Sequence, residues 1–365
     1  MTNAAVSIDW LSFTVPSHLT EPFLGQFGLD VEAALQHLGM PVLAIEQRGG
    51  LHGYLRGATF DGFGGAFALW DGESQRGSLH IQLSGKALGF YELVRHFDVG
   101  VFIASILELG CSVTRLDIAA DDFTGCLTLG RFLAASQNGD VVSRFANKRN
   151  PEYIGPSSLD DNGAWSLYYG TRRGHSETLV NVYNKAAESG VDAQHWVRVE
   201  ARFRGDKAQA VALSLSASGF SAPAMLGVLR GVLDFRQHND DVGHCNRWDM
   251  LPWWASFVGN CDVVHPGKAH VEKQKNVGDY YEFLRRQASA ALSIVNDFYG
   301  EGAISELVAL GRERRGASHD SAVRASLAMG DVFDNVIAKP LPEPLDKNGL
   351  KMLAERVAKR DKTPV

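Results

Sequence analysis

Three stretches of the chain alternate apolar and polar side chains with a period of two, the pattern of strands that bury one face and open the other. In residues 114–121, Leu116, Ile118 and Ala120 lie on one side and Arg115, Asp117 and Asp121 on the other. In residues 178–185, Val180 and Val182 oppose Asn181, Tyr183 and Lys185, and in residues 196–204, Val197, Val199, Ala201 and Phe203 oppose Arg198, Glu200, Arg202 and Arg204. If the three are neighbours in one sheet backed by helices, their polar sides must coincide. That gathers three carboxylates, a phenol and several cations on one surface. An ordinary solvated face is usually rich in Thr, Lys, Glu and Ser, whereas Asp is a poor strand residue. Its recurrence at 117 and 121 argues for chemistry at this surface rather than solvation alone.

The remaining pattern predicts a strand over residues 6–15 and a helix opened by Asp30 with Val31, Ala34, Leu35 and Leu38 on one face. Short strands and turns follow in the Gly-rich stretch 49–72, an alternating strand in 79–86, and a mostly buried helix in 97–110 stopped by Gly110. The order Ile8-Asp9, Leu69-Trp70-Asp71-Gly72, 79–86 is echoed by Leu116-Asp117, Leu167-Tyr168-Tyr169-Gly170, 179–185, which suggests two similar halves. By this echo the second half is the working copy, since Tyr183 faces a Ser or Leu in the first. Beyond Asp206 the pattern turns helical, in 207–215, 224–233, 280–295 and 302–311. Leu284, Ala288, Ala291, Leu292 and Val295 would form the buried stripe of the third of these. The expected fold is α+β: an antiparallel-rich sheet domain over 1–205, of two similar halves with helices on one face, then a mainly helical domain over 206–335. A basic, proline-broken tail, expected to be mobile, covers 336–365.

A chain of 365 residues, 45% hydrophobic and 21% charged, fits a two-domain globular protein. Neither a secretory signal nor an apolar run of membrane-spanning length is present, so a cytoplasmic location is expected. Cys111, Cys126, Cys245 and Cys261 have no metal-site or disulfide spacing. The net charge of -6 argues against indiscriminate coating of nucleic acid but permits a local basic grip.

Carboxylate oxygens on such a surface suit Mg²⁺ or Mn²⁺, and Asp117, Asp121 and Glu200 are the candidate ligands. A phenol with a pKa of about 10 is a weak nucleophile unless its ionised form is stabilised. Tyr183 beside Lys185 and Arg198 could therefore attack a phosphodiester held on the same ion. Tyr168, Tyr169, Tyr280 and Tyr281 are rival nucleophiles, and a half-exposed sheet tyrosine is the plain alternative for Tyr183. His80, His175 and His195 are isolated, no His-hydrophobe-His triplet occurs, and no Walker-type phosphate loop is present.

These residues resemble those of the Rep_trans family, the replication initiation factors of rolling-circle plasmids and filamentous phages. The resemblance rests on residues 9–14, 114–122, Tyr169-Gly-Thr-Arg, Val182-Tyr-Asn-Lys185 with Glu188, Trp196-Val-Arg-Val-Glu200, Leu251-Pro-Trp-Trp, Val271-Glu-Lys-Gln and Phe283-Leu-Arg-Arg-Gln. It implies that Tyr183 nicks one strand at a double-stranded origin, leaving a 5′-phosphotyrosine and a 3′-OH primer before rejoining. It also implies metal ligands at Asp117 and Glu200, with Asp121 less firmly matched. Origin DNA, exposed single strand, a host helicase and polymerase are the implied partners, with a homodimer as a further expectation. Arg285, Arg286, Arg312, Arg314 and Arg315 are candidates for origin contacts. A mobilisation relaxase of an integrative element and a non-catalytic origin- or operator-binding protein are the alternative readings.

Overall fold

Alternating β-branched and aromatic residues carry the first 204 residues through most of the strands, and Gly or Asn/Asp/Ser/Thr caps open and close the helices between them. A computed structural model describes residues 4–316 and 319, apart from 27, 41, 43–44, 61–64, 73–76, 159–161, 174–175, 192–194, 268–279 and 282–283. The strands are β1 (Ala4–Val15), β2 (Leu24–Gly25), β3 (Gly28–Leu29), β4 (Ile45–Gly49), β5 (Arg56–Phe60), β6 (Ala66–Trp70) and β7 (Leu79–Ser84). They continue as β8 (Ser112–Asp122), β9 (Val141–Val142), β10 (Glu152–Ile154), β11 (Ser166–Tyr169), β12 (Thr178–Asn184), β13 (Val197–Arg204) and β14 (Asp234–Phe235). Interspersed are α1 (Ser17–Thr20), α2 (Val31–His37), α3 (Gly85–Arg95), α4 (Val99–Glu108), α5 (Leu129–Asn138), α6 (Lys185–Ser189), α7 (Gly205–Ser216), α8 (Ala222–Val232) and α9 (Pro252–Val258).

Ten strands form one antiparallel sheet in the order β10-β11-β12-β13-β8-β1-β7-β6-β5-β4. Its centre is the pair β1 and β8, flanked by β7 on one side and β13 on the other. Helix α3 packs on β1 and β7, α7 packs on β8 and β13, and α8 lies on β1 and β8. The side chains they cover are Leu11 and Phe13 of β1, Leu79, Ile81 and Leu83 of β7, Leu116 and Ile118 of β8, and Val199, Ala201 and Phe203 of β13, all buried. This face is the apolar side predicted by the alternation.

The chain divides into two units, Met1–His270 and Val271–Val365. Helices α7 and α8, assigned from their pattern to a helical domain starting at 206, belong to the first unit, as does α9. Their apolar sides, including Val211, Leu215, Leu226, Leu229 and Trp254, join the same core as the strands. The break in hydrophobic period at residue 205 marks a change of element and not the end of a core. In the second unit, Ser289–Tyr299 and Glu301–Glu313 are helices packed on each other. The stripe expected to be buried there is not: Leu284 and Ala291 are exposed, and Ala288, Leu292 and Val295 are half-buried. Two short helices have too little facing surface to enclose it. The tail 336–365, His175 and the stretch 271–279 lie outside the described residues.

The strand order mirrors itself about the β1–β8 pair, as two similar halves require, and it corrects the alignment of the echo. Ser12 faces Gln82 and Thr14 faces His80, as Asp117 faces Arg202 and Ala119 faces Glu200. The counterpart of β7 is therefore β13, and that of β12 is β6, one strand away from the echo read in the sequence. On this register His80 stands where Glu200 stands, Ser12 where Asp117 stands, and Tyr183 corresponds to Asp71, just past β6. Burial, with His52 adding to it, lowers the His80 pKa to about 4, so that face of the first half holds a neutral imidazole in place of a carboxylate.

Candidate active site

The polar sides of β8, β12 and β13 do coincide, because Asp117 lies beside Arg202, Asp121 beside Arg198, Arg198 beside Tyr183 and Glu200 beside Asn181. The face is not open, as the alternation suggested. Asp117 is 1% exposed, Tyr183 6%, Asp121 7%, and Arg198 and Glu200 8% each. Planar side chains crowd this face: the Arg115 guanidinium sits 4.0 Å over the Trp10 ring, and Trp196 packs against Phe123. Charges so buried persist only when paired.

The pairing splits the carboxylates into two groups. Arg198 grips Asp121 through Nε (2.7 Å) and Nη2 (2.8 Å), while its Nη1 reaches Asp9 at 2.5 Å. The Trp196 indole donates a further bond to Asp121 at 2.8 Å. On the other side, Asp117 accepts from Arg115 (2.5 and 3.0 Å) and from Arg202 (3.3 Å), and Arg202 also donates to Glu200 at 3.4 Å. Arg202 thus bridges Asp117 and Glu200, which together draw one cation between them.

The Tyr183 hydroxyl donates to Glu200 Oε2 at 3.3 Å. Burial, reinforced by the charges of Asp117 and Asp9 and opposed by Arg202 and Arg115, pushes the Glu200 carboxyl up to about 7. Burial and the Glu200 charge also raise the Tyr183 phenol above its ordinary value, with Arg198 opposing. The Asp9 carboxyl is raised by burial against the pull of Arg198 and Lys185. Lys185 opens α6, where Asn184 caps the helix by accepting from Ala187 N–H. Its ammonium lies 5.7 Å over the Tyr183 ring and 2.5 Å from Glu188.

The rival tyrosines sit otherwise. Tyr169 is on the apolar side with its hydroxyl 3.0 Å from Ser136, and burial raises its pKa further. Tyr168 is half-buried under the Arg172 guanidinium at 4.7 Å. Tyr280 and Tyr281 belong to the second unit. His195 Nε2 donates to Asp122 at 3.0 Å, and His80 pairs with Thr14 at 3.0 Å.

Two site residues went unassigned in the sequence. Asp9 stands at a register shift between Ile8 and Trp10, which turns it toward Arg198 of a strand two places away. A Cβ at residue 85 would come within 2.7 Å of its Oδ1, so the close approach of α3 requires Gly85. The Asp in a strand was the available signal. Trp196 opens the alternating run of residues 196–204, and its bond to Asp121 has no signal in the pattern.

Asp117, Asp121 and Glu200 do not form one cage. Four residues of strand separate Asp117 from Asp121 by about 13 Å at roughly 3.3 Å per residue, beyond the span of two aspartates on one ion. Among the described residues no group of three or more His, Cys, Asp or Glu is disposed to hold a metal ion. A smaller donor set does fit: Asp117 and Glu200 share one cationic neighbour, offer hard oxygens, and match the one or two carboxylates by which Mg²⁺ is commonly held beside a phosphate.

One face of the α+β sheet thus gathers a phenol, the arginines Arg115, Arg198 and Arg202 and the carboxylates of Asp9, Asp117, Asp121 and Glu200. The chain belongs to the replication initiation factor family, whose model matches residues 111–310. It is 23% identical over 283 residues to the putative DNA relaxase NicK of Bacillus subtilis (strain 168), covering 72% of this chain and 76% of that protein. Its fold resembles that of a rolling circle replication initiator protein from Geobacillus stearothermophilus, with a TM-score of 0.58 and 24% identity. The match covers 73% of this chain and 99% of that one. Among the described residues no helix is long and apolar enough to cross a membrane.

Proposed function

We propose that the protein starts rolling-circle replication by nicking one strand of its origin with Tyr183. The observation that carries this reading is the hydrogen bond from the Tyr183 hydroxyl to Glu200, a carboxylate whose proton affinity is pushed close to neutrality. A buried phenol with a raised pKa is almost wholly protonated at pH 7, so attack needs a base within reach. Glu200 takes the phenolic proton as the Tyr183 oxygen bonds to phosphorus. The bond from phosphorus to the 3′ oxygen breaks, and that oxygen takes a proton from water to become the 3′-OH primer end. The 5′ phosphate stays on Tyr183, and the reverse transfer to a 3′-OH rejoins the strand.

Arg198 and Lys185 flank the phenol and favour negative charge at the attacking oxygen and the phosphate. Arg198 is itself held by Asp121 and Asp9, which makes those two carboxylates positioning residues. Mg²⁺ or Mn²⁺, when bound, would be held from the Asp117 side so that Glu200 stays free to take the proton, and would neutralise charge on the scissile phosphate. A host helicase and polymerase would act on the exposed strand and the primer.

Incubating the protein with supercoiled DNA bearing its replicon's origin and Mg²⁺ should give a nicked circle with protein covalently attached. Binding without nicking in both Mg²⁺ and Mn²⁺ would leave the non-catalytic reading, which the 6% exposure of Tyr183 favours. The likeness to a putative DNA relaxase favours the same chemistry at a transfer origin. Nicking of a transfer-origin plasmid in preference to a replication-origin plasmid would select it.

A further inference from the structure

A second charged region lies around the β9–β14 pair. A cleft of about 580 Å³ there is lined by Arg144, Lys148, Arg149, Arg236, His238 and His265, with Trp248. Its acid among the described lining residues is Asp234, whose oxygens already accept from Arg230 (3.1 and 3.3 Å), Arg236 (2.8 Å) and the Trp254 indole (2.6 Å). Arg144 also lines a neighbouring cleft of about 460 Å³ with Arg172, Arg173 and Glu152. Glu152 is spent on a two-pronged bond to Arg172 at 2.8 and 2.9 Å.

Subtracting these pairs leaves Arg144, Lys148, Arg149 and Arg173 without an ion-pair partner among the described residues. Lys148 donates only to the Ser143 carbonyl, at 3.2 Å. Arg144, Arg149 and Arg173 are exposed. Burial, with the nearby Arg144 charge adding to it and Glu177 opposing, lowers the pKa of Lys207 at the start of α7. In a chain of net charge -6, a rim of unmatched cations with a shared member between two concavities calls for an anion with more than one charge. A single monophosphate would satisfy at most part of it. Successive backbone phosphates would satisfy all of it, because each cleft can take one and Arg144 stands between them.

We propose that this rim, Arg144, Lys148, Arg149 and Arg173, grips the phosphate backbone of the DNA outside the strand that is cut. The assignment rests on the reading that the protein acts on DNA. Such contacts are blind to sequence and fix the orientation of the duplex. They move the search for backbone contacts from the arginines of the second unit to the loop after β9.

The test uses full-length protein and a random-sequence 30-base-pair duplex, with binding followed by fluorescence anisotropy across a salt series. Arg144→Ala/Arg149→Ala, two exposed positions, should weaken binding at fixed salt at least five-fold and make the slope of log K against log salt shallower by about 1.8. Arg144→Glu/Arg149→Glu should weaken it further. Covalent attachment of a single-stranded origin oligonucleotide to Tyr183 should be unchanged in both. Equal affinity and slope in wild type and variants would overturn the proposal. So would a loss confined to binding of 5′-AMP, which would assign the clefts to a small phosphate compound. If no DNA becomes attached to wild type while the slope still changes, the cutting mechanism fails and the rim stands.

Discussion

Replacing Glu200 by Gln separates what its carboxylate does for stability from what it does for the proposed reaction. Moving the acid from its ordinary 4.5 to about 7 means that ionisation is disfavoured in the fold. At about 1.4 kcal/mol per pH unit, the ionised form carries a penalty of about 3 kcal/mol. The sign follows from proton counts. Below pH 4.5 both folded and unfolded chains hold the proton and there is no penalty. Between 4.5 and 7 the unfolded chain releases it first, so stability falls as pH rises, and above 7 the penalty is complete. Glu200→Gln keeps the shape without the charge and should unfold later in urea at pH 8 by up to about 3 kcal/mol, with the advantage shrinking toward pH 4.5. The same change removes the acceptor of the phenolic proton. Its nicking rate should fall by about 10²–10⁴-fold, and the wild-type rate should rise through a midpoint near pH 7. A gel assay of nicked circles from pH 5.5 to 8.5, beside urea curves at each pH, measures both. A flat wild-type profile with Glu200→Gln within a few-fold of it would refute the role of Glu200 as base.

Tyr183→Phe should abolish the covalent DNA adduct on a denaturing gel while leaving duplex affinity within two-fold, and it should cost about 1 kcal/mol in urea for the lost hydrogen bond. Arg198→Ala leaves the buried Asp121 and the half-buried Asp9 without their cation and should destabilise by about 3 kcal/mol, read from the denaturation midpoint. Arg198→Lys, lacking the two-pronged geometry, should recover only part of it. Burial raises the pKa of Asp122, but bonds from Leu127 and Thr124 outweigh it and leave the group low. Its stabilisation is present above the unfolded value near 3.9 and is lost as pH falls through the folded value. Asp122→Asn should accordingly lower the melting temperature at pH 7 and flatten its decline between pH 4 and 2.

The alternation in 114–121, 178–185 and 196–204 determined by itself that these segments are strands and which side of each faces the core. A period of two admits one division of the side chains, and the register obeys it. The antiparallel α+β class, the gathering of Asp117, Tyr183 and Glu200 on one face, and the family resemblance were legible for the same reason. Three things were decided only in three dimensions. Whether the polar face is wet depends on what its side chains bond, and Arg115, Arg198, Arg202 and Trp196 pair with carboxylates that alternation alone would leave in water. Which carboxylates act together depends on distance along the strand: Asp117 and Asp121, similar in sequence, fall to different arginines. The end of the first core depends on which helices dock, and α7 and α8 return to the sheet because their apolar sides, like those of the strands, have nowhere else to be buried.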